Sequence, residues 1–180
     1  MQITIFGGSE PKPGDEAYSQ AYLLGKALAS RGHTVLTGGY IGTMEAVSRG
    51  AAEAGGHVIG VTCDEIEAWR PVKPNAWVKQ EYRYPTLRQR LFALIERCDA
   101  AIALPGGIGT LAETAEMWSH LQTGVITYRP LILVGAGWQQ TMRTFISSFE
   151  RYIPEKYRQL IQFAADINTA VAIIDQTNFK

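Results

Sequence analysis

Short apolar runs alternate with longer amphipathic stretches along the whole chain. Segments 3–6, 34–37, 57–61, 100–104, 130–134 and 160–163 are apolar over strand length. Helical spacing of apolar residues predicts helices over 15–31, 43–54, 86–97, 110–123, 139–149 and 169–175. In the first of these, Ala17, Ala21, Leu24 and Leu28 define one buried face. Strands apolar on both faces, each followed by a helix, predict a parallel sheet covered on both sides. The expected fold class is therefore α/β, a Rossmann-like doubly wound parallel sheet in a single domain spanning 1–180. Ligands of that class sit beyond the carboxyl ends of the strands, at the topological switch point. Segment 63–84, with Trp69, Pro71, Pro74 and Trp77, is the one long irregular stretch and reads as a lid or part of a subunit contact.

Three of these strands end in glycines and are followed by a helix. They lead into Gly7-Gly8-Ser9, into Gly38-Gly39-Tyr40-Ile41-Gly42-Thr43, and into Pro105-Gly106-Gly107-Ile108-Gly109-Thr110. Glycine lets an anion approach the main chain, and the helix that follows offers unpaired N–H groups and partial positive charge. Tight turns in α/β proteins also use glycine without any ligand. Three such loops at one sheet edge point to a phosphate-bearing ligand. Gly8, Ser9, Gly38, Gly39, Gly42, Thr43, Gly106, Gly107, Gly109 and Thr110 are the candidate contacts. No loop has G-x-G-x-x-G spacing and no GK[ST] triplet occurs, which disfavours a redox cofactor or ATP hydrolysis. No cofactor is expected.

Composition narrows the picture further. Hydrophobic residues make up 46% and charged ones 19% of 180 residues, as in an ordinary globular domain. Seventeen basic and 17 acidic side chains cancel, which argues against a nucleic-acid surface but leaves room for a local arginine cluster. Cys63 and Cys98 are too few and too distant for a disulfide framework or a zinc site, so reduced thiols are expected. No secretion signal opens the chain and no apolar run spans a membrane, so the expected location is the cytoplasm.

Among carboxylates, Glu113 stands one helical turn beyond the third loop. With Thr110 it reads T-x-x-E, a capping box in which it merely closes the helix start. The same placement aims a carboxylate at a bound sugar phosphate, where it can stabilise developing positive charge or orient water. Arg88 and Arg90 precede that loop two residues apart, so only one of them faces the ligand. Glu113, Glu116 and His120 share part of one helix surface but lack the ligand spacing of helical metal sites, and no metal is expected. His33 and His57 read as structural. Without a Ser or Cys in an elbow motif, nucleophilic acyl chemistry is disfavoured.

Residues 105–113, Pro-Gly-Gly-Ile-Gly-Thr-Leu-Ala-Glu, resemble the P-G-G-x-G-T-x-x-E signature of the Lonely Guy family. Its members are cytokinin-activating phosphoribohydrolases, long mislabelled lysine decarboxylases. The resemblance extends to Ile5-Phe6-Gly7-Gly8-Ser9, to Thr37 through Met44, and to Gly55 through Val61. It implies a Rossmann-like fold, a homodimer or homotetramer, and a nucleoside 5′-monophosphate or related phosphorylated small molecule as ligand. The implied reaction is hydrolysis of the N-glycosidic bond to free base and ribose 5-phosphate. Gly106, Gly107, Gly109 and Thr110 would hold the phosphate, and Glu113 and Arg90 would be the catalytic pair.

Leu91 stands where the family has the lysine of an R-K pair, and Leu87 where it usually has methionine. Gly42-Thr43-Met44-Glu45 replaces the usual G-L-M-G. These departures resemble a diverged branch near the molybdenum-cofactor carrier proteins, so a non-catalytic carrier is the alternative function. A decarboxylase using pyridoxal needs a Schiff-base lysine. None of Lys12, Lys26, Lys73, Lys79, Lys156 and Lys180 stands at a glycine-bearing strand end.

Overall fold

The computed structural model describes residues 1–177. The strands are β1 (Gln2–Phe6), β2 (Thr34–Thr37), β3 (Val58–Cys63), β4 (Gln80–Tyr84), β5 (Ala100–Ala103), β6 (Leu131–Val134) and β7 (Ile161–Ala164). Between and after them lie α1 (Glu16–Ala29), α2 (Thr43–Glu53), α3 (Asp64–Trp69), α4 (Leu87–Glu96), α5 (Ile108–Thr123), α6 (Ala136–Ser148), α7 (Glu155–Arg158) and α8 (Ile167–Gln176). All seven strands pair in parallel in the order β4-β3-β2-β1-β5-β6-β7. The chain steps outward from β1 in one direction, then returns to start β5 on β1's other side. The switch point therefore lies between the ends of β1 and β5.

Two buried clusters sandwich the sheet. Ile3, Ile5, Val35 and Ile102 pack against Leu24 and Leu28 of α1, Val47 of α2 and Val171 of α8. Phe6, Val61, Ala101 and Leu131 pack against Leu94 of α4, Met117 and Trp118 of α5 and Trp138 of α6. The lone polar residue inside β1, Thr4, is fully buried, and its hydroxyl donates to the Leu94 carbonyl at 2.7 Å. Side-chain caps mark two helix starts: Thr86 accepts from Gln89 N, and Asp166 accepts from Thr169 N at 2.8 Å.

The segment expected to be irregular, 63–84, contains α3 and β4. Its strand escapes a hydrophobicity reading because Gln80-Glu81-Tyr82-Arg83-Tyr84 lies at the sheet edge, with every residue exposed or half-exposed. The short α7 and a 3-10 turn at Glu150–Tyr152 also went unanticipated. Helix α6 begins three residues before its expected start, and α5 two residues before, at Ile108.

Helices α1 and α2 cross at glycines. A Cβ on Gly50 would lie 1.9 Å from the Tyr22 carbonyl oxygen, and one on Gly25 would lie 2.1 Å from that of Val47. Backbone cannot yield as a side chain can. Gly50→Ala is expected to lower stability by roughly 1–3 kcal/mol, the usual cost of overpacking, despite alanine's better helix propensity. Gly137→Ala in α6 meets nothing within 4 Å and should be neutral or mildly stabilising. Urea midpoints of the two variants check the contrast, and equal midpoints would show that the crossing tolerates a methyl group.

Candidate active site

The three glycine loops are bonded to one another. Gly8 N donates to the Pro105 carbonyl at 3.3 Å, and Thr43 N donates to the Gly8 carbonyl at 2.9 Å. The β1–α1 loop thus sits between the other two, beside the switch point. Gly42 has φ +75°, and a Cβ there would lie 2.5 Å from the Ser9 carbonyl carbon, so the second loop abuts the first. A Cβ on Gly106 would lie 2.1 Å from Thr110 Oγ1, which folds the third loop tightly over its own helix start.

These loops differ in what they leave open. Gly38, Gly39, Gly42 and Thr43 are buried. The Gly38 carbonyl accepts from Arg90, Gly39 N donates to Thr37 Oγ1 at 3.1 Å, and Thr43 N is taken by Gly8. Gly106, Gly107 and Gly109 are exposed, while Gly8 and Ser9 are half-exposed. The N–H groups of Ile108, Gly109 and Thr110, in the first turn of α5, have no acceptor within the helix. Hollows of about 320 and 360 Å³ flank the third loop. Pro105, Thr43, Gly135 and Asp166 line one, and Gly106, Gly107, Leu111 and Trp138 the other.

Arg90 and Glu113 meet beneath this surface. Arg90 Nε donates to the Val61 carbonyl at 2.8 Å and Nη2 to that of Gly38 at 3.2 Å. Its guanidinium carbon lies 5.7 Å from the centre of the Tyr40 ring, and Nη1 is 3.6 Å from Glu113 Oε1. The Arg90 side chain is 7% exposed and that of Glu113 15%. Loss of water around the Glu113 carboxyl raises its pKa from 4.5 to about 7, against the opposing pull of Arg90. The carboxyl is therefore poised between its two states near neutral pH, as proton transfer requires.

The capping-box reading of Glu113 is overturned by where α5 begins. Its N-cap is Gly107, so Thr110 lies inside the first turn, and no side chain caps this end. Arg88 is exposed and sits over Phe92, leaving Arg90 as the arginine that turns inward. His120 pairs with Glu116 at 3.2 Å and stacks on Phe92. Trp118 packs in the core, and its indole N–H donates to the Tyr157 carbonyl at 2.8 Å. Leu91 packs against the second cluster.

Three further residues shape the site. Tyr40 is buried, and its hydroxyl donates to the Cys63 carbonyl at 3.1 Å. Asn75 Nδ2 donates to the Gly39 and Tyr40 carbonyls at 3.1 and 2.9 Å, tying the α3–β4 connection to the second loop. Arg70, on the same connection, reaches Ser9 Oγ at 3.4 Å. An asparagine or arginine in an irregular stretch carries no sequence signal for such contacts. The prolines and tryptophans of that stretch pointed only to a lid or a subunit contact, not to these bonds.

The raised pKa of Glu113 has a thermodynamic consequence. Between pH 4.5 and about 7 the folded chain keeps a proton that the unfolded chain has released. Stability therefore falls as pH rises through that window. Glu113→Gln lacks this dependence. Its stability relative to wild type should improve by on the order of 3 kcal/mol from pH 4 to pH 8. Urea unfolding at both pH values measures it, and a pH-independent difference would show that the carboxyl is not desolvated.

Comparison with known proteins places this geometry. The family model described as possible lysine decarboxylase matches residues 44–174. A cytokinin riboside 5′-monophosphate phosphoribohydrolase of Rhodococcoides fascians is 29% identical over 178 residues, covering 96% of this chain and 88% of its own. The probable cytokinin riboside 5′-monophosphate phosphoribohydrolase LOGL3 of Oryza sativa subsp. japonica is 32% identical over 176 residues, with 96% and 81% covered. Among solved structures, the molybdenum cofactor carrier protein of Chlamydomonas reinhardtii matches with a TM-score of 0.74 at 25% identity, with 97% and 96% covered. The chain belongs to the Lonely Guy family, the group behind the possible-lysine-decarboxylase description.

Proposed function

We propose that this protein hydrolyses the N-glycosidic bond of a nucleoside 5′-monophosphate, releasing the free base and ribose 5-phosphate. The observation that carries the reading is the desolvated Glu113 held by Arg90 one turn beyond an open glycine loop. The phosphate sits against Gly106, Gly107, Gly109 and the backbone N–H of Thr110, whose side chain is buried, at the start of α5, where free N–H groups and the helix dipole favour an anion. Gly8 and Ser9 border it. The buried Gly38, Gly39, Gly42 and Thr43 act as scaffold, holding Arg90 and the first loop.

As the glycosidic bond breaks, positive charge develops on the ribose ring. The ionised Glu113 stabilises that charge, takes a proton from the attacking water and releases it to the departing base, which leaves neutral. Arg90, fixed by the Val61 and Gly38 carbonyls, orients the carboxylate. The curated relatives named phosphoribohydrolases support the reaction class. Leu91 and the likeness to a molybdenum cofactor carrier support a second reading, a carrier that binds a phosphorylated cofactor without cleaving it.

Neither hollow beside the third loop is lined by Arg90 or Glu113. Leu87, Ile108 and Leu111 are exposed, Ile108 by 82%. These apolar side chains support a homodimer or homotetramer, which light scattering tests. Buried free Cys63 and Cys98 fit a reducing cytoplasm, and no helix among the described residues is long and apolar enough to cross a membrane.

Incubation with AMP should release adenine, and Glu113→Gln should slow release about 10²-fold or more. Because the ionised carboxylate acts, kcat/KM should rise with pH through about 7 in wild type. The variant's residual rate should show only the second ionisation of the substrate phosphate, at about 6. Full activity in Glu113→Gln sinks its catalytic role. Tight binding of monophosphates with no base released by wild type establishes the carrier instead.

A further inference from the structure

Glycine loops bind phosphate with neutral N–H groups, yet a phosphate monoester arrives carrying close to two negative charges. The buried arginine of the site contributes little toward that charge. Arg90 is committed to Glu113 and to two backbone carbonyls, so much of its charge is already met. A cation aimed at the loops from elsewhere in the fold is the missing complement.

Arg70 has that position. It follows α3, where its N–H closes onto the Ile66 carbonyl at 2.8 Å, and its side chain crosses to the β1–α1 loop. There Nη1 donates to Ser9 Oγ at 3.4 Å, a long contact with a neutral acceptor. Its Nε is shielded from solvent and has no hydrogen-bond partner. Among the described residues Arg70 forms no ion pair, whereas its neighbour Arg83 is bound by both Asp64 and Glu67. The guanidinium carbon lies 5.4 Å from the centre of the Trp69 ring, which braces the planar fork without neutralising it.

Ser9 leads directly to the third loop. Gly8 N is bonded to Pro105 O, and a Cβ on Gly8 would lie 3.4 Å from Gly106 Cα. Gly8, which packs on Gly106, is thus the chain neighbour of the serine that Arg70 touches. A guanidinium held only by a neutral serine keeps its charge for a ligand, and a phosphate oxygen is a strong acceptor for its outer N–H groups.

We propose that Arg70 grips the phosphate of the bound ligand and makes the site selective for 5′-phosphorylated ribose over the unphosphorylated nucleoside. This rests on the reading that the third loop holds phosphate, but not on hydrolysis. Arg70 is a binding residue, so its removal acts on ligand affinity and leaves the Glu113 chemistry in place.

Calorimetric titration with ribose 5-phosphate, which has no scissile glycosidic bond, tests the proposal on the intact chain. Arg70→Met keeps the aliphatic stem against Trp69 and removes the charge. It should bind ribose 5-phosphate at least tenfold more weakly than wild type, with adenosine affinity unchanged. Arg70→Lys should recover only part of the loss, because it keeps the charge but not the fork. If AMP is a substrate, KM should rise by the same factor while kcat stays within twofold. Binding of ribose 5-phosphate by Arg70→Met at the wild-type level overturns the proposal. So does an equal weakening for adenosine, which would mean that Arg70 only props the loop. If wild type itself binds no ribose 5-phosphate, the phosphate reading of the third loop fails and this proposal falls with it.

Discussion

Placing a guanidinium among strand ends is costly unless every face of it finds a partner. Arg90 meets that condition with the Val61 carbonyl inside β3, the Gly38 carbonyl after β2, the Tyr40 ring and the Glu113 carboxyl on α5. One side chain of α4 thereby holds a strand, a loop and the helix that carries the acid. The sequence around it has adapted to the fit. A Cβ on Gly38 would lie 1.9 Å from Arg90 Nη2, so that glycine makes room for the arginine. The same contact sets the chemistry of Glu113, whose pKa reflects desolvation working against a single cation.

This arrangement divides the glycine loops by task. The second loop spends its backbone groups on Arg90, Asn75 and Gly8, and all of its residues but Ile41 are buried. The first spends the Gly8 N–H and carbonyl on joining the other two, and only the third keeps N–H groups unpaired, at the start of α5 beside the switch point. Similar glycine content therefore serves two ends, close packing in one case and an open anion cradle in the other. The α3–β4 connection joins both tasks, with Asn75 bracing the packed loop and Arg70 reaching toward the open one.

Much of this was legible in the chain. The five inner strands announce themselves because both of their faces are covered, and the edge strand β7 does so through its buried Ile161 and Ala164. Gln80-Glu81-Tyr82-Arg83-Tyr84 does not, because an edge strand with one free side can carry polar residues, and its pairing to β3 is a long-range event. The third loop was legible through its spacing. The role of its glutamate was not, since T-x-x-E describes a cap and an aimed carboxylate equally well. The start of α5 at Ile108 removes the cap reading, and that start goes with the close fold of Gly106 against Thr110. The contacts of Arg70 and Asn75 cross 61 and 36 residues, distances over which local pattern holds no information.

Leu91 shows how one departure from the family pattern can act without touching the ligand. It stands beside Arg90 on α4 but packs into the second cluster. A lysine there would bring a second positive charge close to Arg90 and Glu113. An added cation near a desolvated carboxyl favours its ionised form and draws its pKa downward. With leucine, Arg90 alone opposes desolvation, and the carboxyl rests at about 7. The substitution thus leaves the acid and its anchor in place and moves the pH range over which the acid is charged. Arg90 and Glu113, each drawn out of water and each partnered by the other, support the hydrolase reading over a carrier built on the same loops.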